Sequence, residues 1–345
     1  MSEIIVLNEN IGKPNQVEDD LKNVIDFNDE NIYTLEQFSQ LFSGEFRGLI
    51  CYYKERNKEA SKRSDWYEDV NYNSIPFEQV KVGRKDGYKI TEKDLLNWYN
   101  ASILPNTVLV TEQDYLFALK FSIACYIKMG QSPHGLAGMD RDMNQRLSND
   151  VLGKLAEIAV MKHAKQYGCE IGLAFDLWDL EKHDFSYYQY EKDIRLVNGH
   201  IPQKNIEIKS TKYRSSMQDV PMYKTHEEEH HNFDCLVQAK LTLPKTHLLN
   251  YLNLKILKQD ISNSIEYLQD YKNDENEYNK LLKETVWKDL PVYISGIINK
   301  DDMFKIGDEK KTIPCLNQSV KNKYFTFSAL LDNSQETFKK FYANL

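Results

Sequence analysis

The sequence predicts an α/β protein, with several strands packed against helices. Alternating or continuous apolar residues at 206–211, 233–241 and 291–298 are typical of strands, and the last of these runs is apolar enough to be buried. Residues 148–167 instead repeat apolar side chains at the spacing of a helix. With 345 residues, the chain is long enough to bury a sizeable core in one large domain or two.

The first 104 residues are expected to be a mostly helical N-terminal region. Capping-box sequences at residues 34–37 and 91–94 indicate helix starts. The segment between them interleaves basic and aromatic side chains, which suits contact with nucleic acid, so Arg47, Lys54 and Arg56 are candidate DNA-binding residues. An ordinary solvated helix face above core aromatics explains the same pattern at least as well.

Residues 105–345 are expected to form the second domain. Thr111 should cap one helix, Ser148 should cap the next, and a loop at residues 131–146 should connect them. A polar, helix-rich insertion is expected at about residues 245–288.

Glu157 lies in the middle of the helix that begins near Ser148, and apolar residues cover much of the circumference of this helix. Gly168 should end the helix, and the small side chains of Ala156 and Ala164 would let it lie close against a sheet. The carboxylate of Glu157 is therefore either at an exposed helix edge or aimed into a shared site.

Two strands joined by a turn are expected within residues 193–211, with Asp193 at the start of the first strand. Because side chains alternate along a strand, Glu207 and Lys209 must share one face, while the neighbouring isoleucines point into a core. Asp193, Glu207 and Lys209 could together hold a divalent cation and a polarised water beside a phosphodiester.

A Glu-x-Lys sequence is expected by chance about twice in a chain of this size, and it occurs twice, the second copy ending at Lys311. That copy lies in the polar residues 307–312 and is expected to be a solvated turn. The copy at Glu207 is interleaved with isoleucines. Two interpretations of it remain open, an active site and an exposed strand face of paired charges.

This order of parts resembles the PD-(D/E)XK nuclease superfamily over roughly residues 110–330. The pattern of that family is a helix with an inward Glu, a strand with Asp, and then a strand with (D/E)-x-K, followed by a further helix and strands. One departure is that Lys192, not Pro, precedes the Asp, at a position that the family keeps loosely. The matching residues are Glu157, Asp193, Glu207 and Lys209.

The resemblance implies a restriction-endonuclease-like core, with a mixed central sheet flanked by helices. It implies Mg²⁺ as cofactor, with Mn²⁺ able to substitute, held by Asp193, Glu207 and the carbonyl of Ile208. Glu157 would complete a second metal site or hold a water. Lys209 would orient the attacking water or stabilise the developing negative charge, because an ordinary ammonium is a poor base.

The function implied is a metal-dependent endonuclease that hydrolyses double-stranded DNA, most like a type II restriction endonuclease acting as a homodimer. The alternatives are a repair or junction nuclease, a phage-defence effector nuclease, and a catalytically inactive DNA-binding module of the same fold.

The net charge of −8 neither supports nor excludes a DNA substrate, because the charge is unevenly distributed. Residues 1–30 hold eight acids against two lysines, a net charge of −6, so the other 315 residues carry only −2. Phosphate contacts need local cations. Residues 200–224 hold five cations against two acids, and Lys212 and Arg214 in this segment are candidate DNA contacts.

Five scattered cysteines without a CxxC pair argue against a disulfide framework, a structural zinc site and an iron–sulfur cluster. Residues 225–231 contain three histidines and three glutamates, but they lack a third ligand at helical spacing, so a zinc site is disfavoured there. No signal peptide or membrane span is expected, and the chain is expected to be cytoplasmic.

Overall fold

The structure is a computed structural model, and part of the chain is described in it. The described residues are 32, 48, 77–129, 143–173, 193–212, 215, 217–223, 231–241, 243, 247, 289–307, 311–313 and 318–345.

The described part of the chain contains both strands and helices, which is a mixed α/β arrangement. The strands are β1 (Glu78–Val82), β2 (Lys85–Lys89), β3 (Thr107–Val110), β4 (Ile171–Leu173), β5 (Ile194–Val197), β6 (Ile206–Lys212), β7 (Met217–Pro221), β8 (Cys235–Leu241), β9 (Leu290–Asn299), β10 (Phe304–Ile306), β11 (Lys311–Ile313), β12 (Gln318–Val320) and β13 (Lys323–Phe327). The α-helices are α1 (Glu92–Trp98), α2 (Glu112–Met129), α3 (Met143–Gln166) and α4 (Gln335–Ala343). Short π-helical or 3₁₀ turns lie at Tyr99–Ile103, Leu104–Asn106, Lys300–Asp302 and Ser328–Leu330.

The central sheet has four strands in the order β3-β9-β8-β6. Strands β6 and β8 run parallel, whereas β8 with β9 and β3 with β9 are antiparallel, so the sheet is mixed. Strand β6 is at one end of this order, so no described strand pairs with its outer edge. The strands predicted at 206–211, 233–241 and 291–298 are confirmed as β6, β8 and β9.

One face of the central sheet is covered by helices. Alternate side chains of β8, including Val237 and Ala239, belong to a core cluster that also contains Leu155 and Ala159 of α3. Ile208 of β6 belongs to the same cluster, so β6 turns its isoleucines towards α3. Helix α4 closes this core with Phe338 and Tyr342, which are buried beside α3.

The opposite face of the central sheet packs against a second sheet. That sheet has the strand order β10-β13-β7, with both pairs antiparallel. Leu236 of β8 and Ile298 of β9 pack there with Val220, Phe233 and Tyr324. The central sheet is therefore buried on both sides, which explains why β8 and β9 read as nearly continuous apolar runs.

Two predicted helix starts are confirmed by their capping bonds. The backbone N–H of Asp94 donates to Thr91 Oγ1 at 3.1 Å, immediately before α1. Before α2, the backbone N–H of Thr111 donates to Asp114 Oδ2 at 2.7 Å, and that of Asp114 donates to Thr111 Oγ1 at 3.3 Å. Each pair satisfies donors that the first helical turn leaves without partners.

The prediction that Ser148 caps α3 is wrong. The described helix already includes Met143, so residues 143–146 are helical and do not belong to the predicted loop, and Ser148 lies buried within the helix. Good helix formers such as Met143 and Gln145 precede Ser148, and buried Leu147 continues the apolar face towards the N-terminus. The end of the helix is as predicted, since Gly168 follows it with a φ of +75°.

The two strands predicted within residues 193–211 are confirmed as β5 and β6, and β5 pairs with β4 before the chain reverses at Asn198 and Gly199, both with positive φ. The described part of the N-terminal region contains the hairpin β1–β2 as well as a helix. The predicted solvated turn at 307–312 contains the start of a strand, because Lys311 opens β11, which pairs with β12.

Other expectations fall on parts of the chain that are not described. They concern the candidate DNA contacts Arg47, Lys54, Arg56 and Arg214, and most of the insertion expected at about residues 245–288. In the helices that are described, no segment is long and apolar enough to cross a membrane.

Gly296 of β9 permits a close approach between β9 and the segment that follows β13. A Cβ at this position would lie 2.7 Å from Leu331 Cβ and 2.8 Å from the carbonyl oxygen of Asp332, and the φ of Gly296 is +142°. Ile297 and Asp332 exchange two backbone hydrogen bonds beside it, at 2.9 and 3.0 Å.

Replacing Gly296 by alanine should therefore lower the free energy of unfolding by at least about 2 kcal/mol, because the backbone conformation is strained and the new methyl collides with main chain. The matched control is Gly153→Ala in α3, where a Cβ meets nothing within 4 Å. That change should raise stability by up to about 1 kcal/mol. Denaturant unfolding of both variants checks the pair, and equal stabilities would contradict it.

Candidate active site

Asp193 is held at the free edge of the central sheet. The backbone N–H of Ile208 in β6 donates to Asp193 Oδ2 at 2.7 Å. The N–H and C=O of one strand residue point to the same edge, so the carbonyl of Ile208 also faces this free edge. The hydrogen bond thus brings a carboxylate from the start of β5 beside the middle of β6.

Glu207 and Lys209 share the face of β6 opposite to its isoleucines, as the alternation predicts. Lys209 Nζ forms an ion pair with Glu207 Oε1, and the other oxygen, Oε2, is 3.1 Å from His231 Nε2. Glu207 is only 8% exposed, so both of its oxygens are engaged in a nearly dry environment. The interpretation as an exposed strand face of paired charges does not fit this burial.

Glu157 projects from α3 towards the same edge of the sheet. It is 5% exposed, so the alternative of an exposed helix edge does not hold. Its Oε1 accepts a hydrogen bond of 2.5 Å from Nζ of Lys154, which lies one turn earlier on the helix and is also buried. Its Oε2 is buried and has no hydrogen-bond partner among the described residues. A buried carboxylate oxygen without a partner is costly, and such groups often mark a place for an ion or water.

The charge of Glu157 is disfavoured in the absence of a cation. Desolvation by burial raises the pKa of Glu157 from 4.5 to about 8, although the Lys154 ammonium acts in the opposite direction. The charge of Asp193 adds to the rise, and Lys209 opposes it. Glu157, Asp193 and Lys209 are therefore close enough to interact electrostatically.

The pKa values of the other two carboxylates, Asp193 and Glu207, shift in opposite directions. Burial raises the pKa of Asp193, and the neighbouring charge of Glu207 raises it further. Burial acts in the same direction on Glu207, but Lys209 and the hydrogen bond from His231 outweigh it and hold the pKa of Glu207 below its ordinary value. Burial disfavours the Lys209 ammonium, yet the charges of Glu207 and Asp193 outweigh burial and raise the pKa of Lys209. Lys209 is thus a cation at neutral pH.

The structure brings all four predicted catalytic residues to one edge of the central sheet. It also adds Lys154 and His231, which the sequence did not identify as site residues. The sequence could have indicated Lys154, because it lies three residues before Glu157 and therefore on the same side of α3. His231 belongs to the polar run disfavoured as a zinc site, and no spacing in the sequence connects it to Glu207.

The site is rich in the oxygen donors that hard cations prefer. Its carboxylates come from α3, from the start of β5 and from β6, with the carbonyl of Ile208 beside them. Within the described residues, no group of three or more His, Cys, Asp or Glu side chains is already arranged around one metal position. Lys209 and His231 instead occupy the oxygens of Glu207. Lys212, a candidate DNA contact, is exposed at the end of β6.

Comparison with protein-family models, with curated proteins and with solved structures finds no match for this chain.

The Glu157→Gln substitution separates a chemical role from a structural one. Because the pKa of Glu157 is about 8, the wild-type side chain is mostly neutral at pH 7 without metal, and an amide resembles that form. The free energy of unfolding in EDTA at pH 7 should therefore change by no more than about 1 kcal/mol. Any activity that depends on the site should be strongly reduced. Melting curves and activity assays on one preparation test both, and a variant that is destabilised but fully active would show that Glu157 serves only the fold.

Proposed function

We propose that this chain is a metal-dependent endonuclease that hydrolyses phosphodiester bonds of double-stranded DNA. The observation that carries the proposal is the convergence of Glu157, Asp193, Glu207 and Lys209 at one sheet edge. Within the part of the chain that the structure describes, Glu157 has a buried oxygen without a hydrogen-bond partner, and the Lys209 ammonium contacts the carboxylate of Glu207. Clustered carboxylates with pKa values pushed apart are typical of catalytic sites.

The residues at this edge fit a hard divalent cation. The proposed ligands are Asp193, Glu207 and the carbonyl of Ile208, and the unpartnered oxygen of Glu157 supplies a further donor. Mg²⁺ takes oxygen ligands and keeps several waters, so a small number of protein oxygens is sufficient, and Mn²⁺ accepts the same donors. When bound, such a cation lowers the pKa of water and offsets negative charge on phosphoryl oxygens.

Lys209 supplies a fixed positive charge next to the reacting phosphate. Its ammonium contacts Glu207, and its proposed role is to stabilise negative charge or to orient the attacking water by donating hydrogen bonds. Asp193 stays oriented through the hydrogen bond from Ile208. Lys154 balances Glu157 from the helix side. The surrounding burial strengthens each of these interactions by excluding water.

The proposed fold is the restriction-endonuclease-like core of the PD-(D/E)XK superfamily. Its support is the order of parts around the site. A helix with a buried inward Glu precedes a strand that begins beside Asp, and the Glu-x-Lys strand follows as an outer strand of a mixed sheet. The presence of all four side chains and the partnerless oxygen favours an active enzyme over an inactive DNA-binding module.

Within this class, we propose a sequence-specific type II restriction endonuclease that acts as a homodimer, because a two-fold axis lets one chain cut both strands of a symmetric site. Lys212 is exposed at the end of β6, the strand that carries Glu207 and Lys209. Of the candidate DNA contacts, it is the one that lies among the described residues, and we propose that it contacts a phosphate. Repair and phage-defence nucleases share the chemistry and differ in the fragments that they produce.

Cleavage of plasmid DNA should require Mg²⁺ or Mn²⁺, because the carboxylates cannot bring a phosphodiester close without a cation to offset their charge. Purified protein should produce discrete fragments with Mg²⁺, lose all cleavage in excess EDTA, and recover it when Mg²⁺ is added back. Sequencing of the fragment ends identifies the recognised site. Comparable cleavage in EDTA would overturn the proposal, and random degradation would favour a non-restriction nuclease.

Glu207→Ala and Asp193→Asn should each abolish cleavage and leave DNA binding within about tenfold of wild type, because DNA contacts lie mainly outside these carboxylates. The control is Lys311→Ala, which changes the lysine of the second Glu-x-Lys copy and should leave cleavage unaltered. Cleavage assays and gel-shift titrations in Ca²⁺ check the set. Wild-type cleavage rates in both carboxylate variants would show that the site is assigned wrongly.

A further inference from the structure

The carboxylate of Glu207 is held from two sides by donors of different origin. Lys209 contacts Oε1 from the same strand, two residues further on. His231 contacts Oε2 through Nε2. It lies in the segment just before β8, the strand that pairs with β6. Each carboxylate oxygen has two lone pairs, so the hydrogen bond from the imidazole N–H can persist when a divalent cation binds Glu207.

His231 is fixed by contacts that do not depend on Glu207. Its backbone N–H donates to the carbonyl of Met222 at 2.7 Å, and its own carbonyl accepts from Lys300 Nζ at 3.0 Å. Its ring packs edge-on against Phe233, with ring centres 5.5 Å apart. Phe233 is itself buried in the cluster between the two sheets.

Lys300, which donates to the carbonyl of His231, also packs against the neighbouring aromatic rings. The Lys300 ammonium lies over the ring of Phe233 at 4.8 Å and over that of Tyr324 at 5.0 Å. The imidazole is thus held beside Glu207 by backbone hydrogen bonds and by packing against Phe233, and the backbone hydrogen bonds would survive replacement of the side chain.

We infer that His231 is a positioning residue whose Nε2–H holds the Glu207 carboxylate in the orientation needed to bind the metal ion. The inference rests on the proposed metal-dependent function and adds a residue that lies outside the Asp, Glu and Lys pattern. Carboxylates that bind metals need such hydrogen bonds, since an unrestrained side chain loses rotamer freedom on binding. Because Nε2 is the ring atom that contacts Glu207, His231 is proposed to act through Glu207 and not as a metal ligand.

Three substitutions of His231 distinguish these roles. Gln places an amide N–H near the position of Nε2, Asn is too short to do so, and Leu removes the donor and keeps the bulk. Mn²⁺ binding, measured by electron paramagnetic resonance of the free ion and by competition with Mg²⁺, reports on the site without any need for cleavage. The matched control is His200→Leu, at an exposed histidine in the turn after β5.

The Leu and Asn variants should bind Mn²⁺ about 10- to 100-fold more weakly than wild type, and the Gln variant should stay within about threefold. His200→Leu should bind as wild type does. Melting temperatures in EDTA identify any variant that fails to fold, and if Leu fails, the comparison of Asn with Gln carries the test.

Mn²⁺ affinities of the folded Leu or Asn variants within about twofold of wild type would overturn the inference, since losing a hydrogen bond to a metal ligand should cost more. A Gln variant as weak as Leu would also overturn it, because His231 would then bind the metal itself or merely fill space. If the wild-type protein bound no Mn²⁺, the proposed metal site would fail together with this inference. Normal wild-type binding with unaffected His231 variants would refute the inference alone.

Discussion

The hydrogen bond from the backbone of Ile208 to the carboxylate of Asp193 determines the arrangement of the site. Strand β6 is at the end of the central sheet, and an outer strand carries backbone groups that need partners. A carboxylate 15 residues earlier in the chain satisfies one of them at 2.7 Å. The same bond brings Asp193 beside Glu207, although β5, which follows Asp193, pairs with β4 and the strand of Glu207, β6, pairs with β8.

The electrostatics of the site follow from this contact and from burial. Three carboxylates lie close together at a nearly dry edge, and the lysines beside them, Lys154 and Lys209, do not neutralise them completely. Burial and the repulsion between neighbouring charges therefore raise the pKa values of Glu157 and Asp193, while Glu207 keeps its charge with help from Lys209 and His231. A divalent cation would relieve this repulsion, so the cost of assembling the site is reduced by its proposed cofactor.

Features set by nearby residues could be predicted from the sequence. The caps at Thr91 and Thr111 depend on side chains three residues apart, and the opposite faces of Glu207 and Ile208 follow from the geometry of a strand. The pairing of β5 with β4 could not be predicted, because β4 has three residues and carries little pattern. The start of α3 before Ser148 was missed because a serine is also tolerated inside a helix whose buried face continues on both sides.

Contacts between distant residues were the least predictable part of the site. His231 meets Glu207 because β8 lies parallel to β6, and this pairing brings the segment before β8 to the start of β6. Nothing in a polar run of histidines and glutamates indicates that pairing. The burial of Lys154 likewise depends on how α3 packs against the sheet, since the sequence shows only that Lys154 shares a side of the helix with Glu157.

The most direct test of the central claim is the position of a bound metal ion. Crystals of the protein soaked in Mn²⁺ would reveal the ion by its anomalous scattering. We expect one peak within bonding distance of Asp193, Glu207 and the carbonyl of Ile208, on the side towards Glu157. A peak at another position, with no metal between these carboxylates at saturating Mn²⁺, would contradict it.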